Sequence, residues 1–240
     1  MSPWVYISSM LVAPIFQILL FAYLGRSAGL ANNKFFVIGN AVQYSAIPCL
    51  FAMANTVAGE RFTQTLGIVL TTPARRIPLF LGRPLPVLAN GWFVSMFSLA
   101  VGGALLGIDL RASAWPPIAV VVAVASASCT GLGMMNAALG LRVRETAVLS
   151  NIIFGVLLLF CGVNVPLYAL PGWMSAISHW LPLTHAIHAA RLVAAGSSLG
   201  DVSGLLLREV GLGALYFAIG LAALRWLEWE SKRSASLERQ

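Results

Sequence analysis

Charge is what this chain has least of. Among 240 residues there are 15 Lys and Arg and 8 Asp and Glu, only 10% of the sequence, against roughly 25% in an average soluble domain. So few charges cannot cover a water-facing surface, which excludes a soluble globular protein. Lysine is scarcer still, with only Lys34 and Lys232. A phosphate-cradling G-x-x-x-x-G-K-[ST] loop needs a lysine followed by a hydroxyl. Phe35 follows one lysine and Arg233 the other, so any ATP-driven work falls to a separate chain. H-E-x-x-H is also missing, and with it one common hydrolase chemistry. The three cysteines, Cys49, Cys129 and Cys161, have no C-x-x-C spacing and lie in apolar blocks; they read as small buried hydrophobes. No acidic residue stands at the centre of an apolar block, and Glu209 beside Arg208 reads as interfacial, so a proton relay has no carrier.

What the chain has in quantity is apolar surface. Hydrophobic residues make up 59% and the mean hydropathy is +0.85. They form charge-free stretches at 1–25, 35–59, 84–108, 112–141, 146–190 and 210–224. Crossing about 30 Å of hydrocarbon takes about 20 helical residues. The reading is therefore an all-α integral membrane protein in one domain, residues 1–240, with spans near 4–25, 36–58, 85–107, 116–140, 147–165 and 207–227. The first 25 residues carry no charge, so they are read as a retained span, since a cleaved leader has a basic start. The block 146–190 is broken by Pro166, Pro171-Gly172 and Pro182. It reads as the fifth span followed by short helices near 171–180 and 183–195 that do not cross.

Six spans put both termini on one side. If that side is the cytoplasm, ten basic residues face in, among them Arg75, Arg76, Arg142 and Arg144, and five face out: Arg26, Lys34, Arg111, Arg191 and Arg208. The positive-inside rule then favours cytoplasmic termini in a cell (plasma or inner) membrane. The net charge of +7 is spread in short clusters, with no basic domain for nucleic acid. His179, His185 and His188 fall together on the outer side. No carboxylate or thiol stands near them in sequence, so packing outweighs a metal site.

Residues 59–83 are neither span nor plain loop. Phe62, Leu66, Val69 and Leu70 share one helical face, and Pro73 stops the pattern before Arg75-Arg76. That is a short amphipathic helix at the inner surface. Physics alone leaves two roles open, a tie between spans or a docking knob for a cytoplasmic partner.

This stretch, Glu60-Arg61 through Thr65-Leu66, Leu70, Thr72-Pro73 and Arg75, resembles the E-R-E-x-G-T-L-E-x-L-L-x-T-P pattern of ABC-2 transporter permeases. A second match runs from Cys161-Gly162-Val163-Asn164-Val165-Pro166-Leu167 through Leu170-Pro171-Gly172-Trp173 to Leu181-Pro182-Leu183-Thr184-His185 and Arg191. It resembles the end of the family's fifth span and the extracellular helices before the sixth. Three departures from the first pattern matter: Phe62 and Gly67 replace glutamates, and Gln64 replaces a glycine. The sequence starts almost directly at the expected first span, where the family carries an amphipathic helix ahead of it; a misassigned start codon or a diverged half of a heterodimer would each account for that.

The resemblance implies a coupling helix between spans two and three, with Glu60, Arg61, Thr65, Leu66, Leu70, Thr72, Pro73 and Arg75 meeting a cytoplasmic ABC ATPase. ATP and Mg would be held by that partner, and none by this chain. It also implies a second permease subunit, either a copy of this chain or a diverged sister. A substrate cavity would lie between the second and fifth spans of both subunits. Here those spans carry Asn40, Tyr44, Phe51 and Asn55, and Asn151, Phe154 and Leu158. Amides and aromatics on one stripe suit an amphipathic, drug-like compound, and they equally suit interhelical packing. The drug-exporter branch is the closer likeness. Export of polysaccharide or lipid is the alternative, and from another class a non-transporting membrane protein or intramembrane enzyme built on the histidines.

Overall fold

A computed structural model describes residues 7–27, 29, 32–62, 84–140, 142–143 and 145–237, with no strand among them. The first helix, α1 (Ala13–Ser27), follows a π-helical turn at Ile7–Val12. Pro14 at its start lacks the amide that regular winding would need. The next span is two helices, α2 (Asn33–Gln43) and α3 (Ala46–Phe62), with a turn at Tyr44-Ser45. Pro48 explains the break, because it has no N–H for the Tyr44 carbonyl four residues back. Then come α4 (Pro84–Leu105), α5 (Trp115–Gly140) and α6 (Thr146–Phe160), the short helices α7 (Gly172–Ser178) and α8 (Thr184–Ala195), and the long α9 (Ser203–Leu237).

Among the described residues, five helical stretches are long and apolar enough to cross a bilayer: Met10–Ser27, Asn33–Asn55, Pro84–Leu105, Ala112–Gly140 and Ser203–Leu227. The expected fifth span at 147–165 is different. Its helix α6 has 15 residues, a rise of about 22 Å, short of the hydrocarbon thickness. Thr146 Oγ1 donates to the Gly140 carbonyl at 3.3 Å, and Asn136 Nδ2 donates to Ser150 Oγ at 2.8 Å. The helix thus rises beside the last turns of α5 and stops roughly halfway along it. Residues 161–165 are bends, and α7 and α8 fill the remaining half of the bundle.

One contact fixes the centre of the molecule. A Cβ on Gly131 of α5 would overlap the Gly213 carbonyl of α9, and a Cβ on Gly220 would come within 2.7 Å of the Met135 amide nitrogen. The two helices therefore touch backbone to backbone. Their matched residues rise together along both chains, so the helices are parallel. Small residues permit this approach, and dispersion over the long contact holds it. Arg142 stacks over Trp226, 4.3 Å from the ring centroid, where both helices emerge.

Glu209 departs from its interfacial expectation. It lies one helical turn and a half inside α9 and is fully buried (0% exposed), beside Ser128 at the middle of α5.

Candidate functional site

The break at Tyr44-Ser45 decides which polar groups face where. Before it, α2 turns Asn40 wholly inward. Asn40 Nδ2 donates to the Phe36 carbonyl at 2.9 Å and to Asn164 Oδ1 at 2.8 Å, and its Oδ1 accepts Gln17 Nε2 at 2.9 Å. Gln17 Nε2 also reaches Gln43 Oε1 at 3.2 Å. Four amides from α1, α2 and the bend after α6 thus form one network within the bundle. Such groups need partners wherever water is excluded. The Gln43 and Asn164 amide nitrogens nevertheless keep no partner of their own.

At the break the ring of Tyr44 is buried and meets Phe154 of α6 edge-on, with centroids 6.3 Å apart. Beyond it, Phe51 is half-buried, while Asn55 on α3 and Asn151 on α6 are exposed. Asn151 Nδ2 donates to the Ala147 carbonyl one turn back at 2.9 Å, leaving its oxygen outward. The structure therefore brings Tyr44 and Phe154 together, with Phe51, Asn55 and Asn151 along the helices that carry them, and α3 packs on α6. Asn40 belongs instead to the amide network. Both exposed amides lie toward the end of the bundle where α5 turns into α6. Exposed amides on so apolar a flank are costly against lipid.

At the opposite end, Arg191 of α8 holds three carbonyls. Its Nη1 donates to Gly162 at 2.8 Å, and its Nη2 donates to Val163 at 2.9 Å and to Phe35 at 3.2 Å. The guanidinium also lies 3.5 Å from the centroid of the Phe35 ring. Gly39 permits this, since a Cβ there would come within 2.6 Å of Nη2. The freed carbonyls at the end of α6 are thus satisfied by a side chain from α8. Lys34 Nζ adds a bond to the Ala194 carbonyl at 2.6 Å, at the negative end of that helix.

The histidines form no ligand set. His179 and His185 stack with centroids 5.8 Å apart, and His185 Nε2 lies 3.3 Å from the His179 carbonyl oxygen. Among the described residues no group of three or more His, Cys, Asp or Glu is placed to hold a metal ion.

Of the residues expected to couple to an ATPase, Glu60 and Arg61 fall on the last turn of α3. Thr65, Leu66, Leu70, Thr72, Pro73 and Arg75 lie outside the described residues. No local pattern in the sequence marks Gln17, Gln43 or Ser128. Arg191 stood in a motif without a task, and the one available signal for it was a basic residue in a segment otherwise able to enter the bilayer. The family model described as ABC-2 type transporter matches residues 2–194. No curated protein and no solved structure matches the chain.

Proposed function

Since the chain belongs to the ABC-2 type transporter family, it is the membrane permease part of an ABC transporter, and we propose that it exports amphipathic, drug-like compounds. In this reading two permease subunits enclose the path, a copy of this chain or a diverged sister facing the first. A separate cytoplasmic ABC ATPase docks on residues 60–75 of each and holds ATP and Mg.

The observation that carries the substrate class is the α3–α6 flank. Half-buried Phe154 offers an aromatic surface backed by the buried Tyr44 ring, and exposed Asn55 and Asn151 offer amide hydrogen bonds beside it. That mixture suits a ligand with one flat apolar part and one polar part. It is a poor lipid-facing surface, so a second subunit across it would turn the flank into a shared cavity. Ethidium efflux from cells tests the assignment. Tyr44→Ala should raise the half-saturating ethidium concentration about five- to tenfold, the loss expected for one aromatic contact and its packing. Normal ethidium handling by a well-inserted Tyr44→Ala chain would remove this flank from the substrate path.

The orientation follows from charge. Placing the α5–α6 turn and the end of α9 in the cytoplasm puts the Arg142–Trp226 stack at the inner headgroups, and α7 and α8 toward the outside. A membrane-impermeant maleimide applied to intact cells should label Trp173→Cys and leave Val143→Cys untouched. The reverse pattern would invert the topology.

A further inference from the structure

Helix α8 begins without a cap of its own. Its first turn follows Pro182 and Leu183, and Leu183 has the left-handed φ of 78°. Leucine has no side-chain acceptor for the open amides at a helix start. Thr184 is turned the other way, its Oγ1 donating backward to the Ser178 carbonyl at 2.7 Å, and no side chain of this segment caps the helix. The acceptor comes from another helix. Glu209 of α9 takes the Leu183 N–H on Oε1 at 2.6 Å and the Ala186 N–H on Oε2 at 3.2 Å. Its Oε1 also takes the Ser128 hydroxyl of α5 at 2.6 Å.

Each of these three partners is a donor, which is what an acceptor-only group requires. It also stands at the positive end of the α8 dipole. One buried side chain thus joins three helices: α9 that bears it, α5 through Ser128, and α8 through two backbone amides. The α5–α9 pair is already locked by its glycine contact, and α9 is a single helix of 35 residues, about 52 Å long. A rigid rod that length carries displacement at one end to the other.

We infer that Glu209 is a positioning residue that makes α8 travel with the α5–α9 pair, so that movement of that pair reaches the short helices at the far end of the bundle. The inference rests on the transport reading for its purpose, though not for its geometry. Without the carboxyl, the first turn of α8 loses its acceptors and loosens locally, while the α5–α9 contact stays closed.

The experiment uses the full chain in cell membranes with Cys49, Cys129 and Cys161 replaced by alanine. One reporter is Ala189→Cys on the buried face of α8. The other is Val121→Cys in α5, and both positions are fully buried. In Glu209→Ala the α8 reporter should react with an impermeant maleimide about tenfold faster than in the parent, while the α5 reporter stays protected. Glu209→Gln keeps one acceptor oxygen and should fall between. In the same cells the maximal rate of ethidium efflux should drop about tenfold with its half-saturating concentration unchanged, the split expected of a group that moves a gate without touching cargo. Continued protection of the α8 reporter in Glu209→Ala, or opening of both reporters together, overturns the inference. If the parent chain moves no ethidium while the labelling still splits between helices, the joint stands and the transport reading falls.

Discussion

Arg191→Ala should lower the apparent unfolding midpoint of the detergent-solubilised chain by on the order of 10 °C, read by size-exclusion chromatography after heating. The guanidinium donates to the carbonyls of Gly162, Val163 and Phe35. Hydrogen bonds to a charged group contribute about 1.5–3 kcal/mol each, so losing two or three of them costs roughly 3–6 kcal/mol even after partial relaxation. The loss falls where α6 has already ended and its carbonyls have no helix to continue into. Arg191→Lys should rescue little. An ammonium has no planar fork to span three acceptors and no flat face for Phe35, which lies 3.5 Å from the guanidinium. A lysine variant as stable as the parent would show that charge alone serves here, and the reading of a three-way clamp would have to be given up. Gly39→Ala tests the same clamp from the other side. Its Cβ would crowd the Val163 carbonyl and the guanidinium together, so it should lower the midpoint in the same direction by a smaller amount.

The clamp also explains why one part of the architecture escaped the sequence. Charge-free blocks marked five spans well, because a helix that crosses lipid must be apolar along its whole length. The same rule says nothing about where a helix inside the protein stops. Cys161, Val163 and Val165 are as apolar as the residues before them, and hydropathy carries the fifth span straight through to 165. The helix ends at Phe160 because tertiary partners make the break tolerable. Arg191 takes two of the open carbonyls, and Ser178 Oγ donates to the Phe160 carbonyl at 2.6 Å. Those partners lie about 20 to 30 residues on, beyond the reach of any local window. Pro48 was visible from the start, and with it the break at Tyr44-Ser45 could have been placed. That break sends Asn40 into the amide network and leaves Tyr44 facing Phe154.

Glu209 was hidden for a related reason. Judged by its neighbours in sequence, it stands just outside a charge-free block and beside Arg208, which suggests an interface. Its acceptor role depends on Ser128, 81 residues away, and on amides 23 and 26 residues away. Burial of a carboxylate becomes legible only when the donors that satisfy it are known. The candidate site divides in the same way. The Tyr44–Phe154 contact follows from helical spacing plus the pairing of two spans, whereas the amide network needed Gln17 and Asn164 from elements that no periodicity connects.

Leu66→Asp should abolish both co-purification of the ATPase and export, while Tyr44→Ala should leave the ATPase bound and alter only the response to cargo. Phe62, Leu66, Val69 and Leu70 recur at helical spacing, so an aspartate at the middle position puts a charge into the apolar face. If that face is covered by a partner, an unpaired buried charge costs several kcal/mol, equivalent to a loss of binding of more than about a hundredfold. Glu60→Ala removes one charge at the end of α3 and should weaken binding only a few fold, the size of one solvent-screened ion pair. The two missing carboxylates at Phe62 and Gly67 sharpen the test, because docking then depends on the apolar face more than on charge pairing. Each variant is first compared with the parent for abundance in the membrane fraction, since a chain that fails to insert would also fail to bring down its partner. With insertion equal, loss of the ATPase in Leu66→Asp and its retention in Tyr44→Ala place coupling and cargo on separate parts of the chain. A well-inserted Leu66→Asp that still binds its ATPase and exports ethidium would reduce residues 60–75 to a tie between two spans, and the point of contact with the motor would have to be sought at the α5–α6 turn instead.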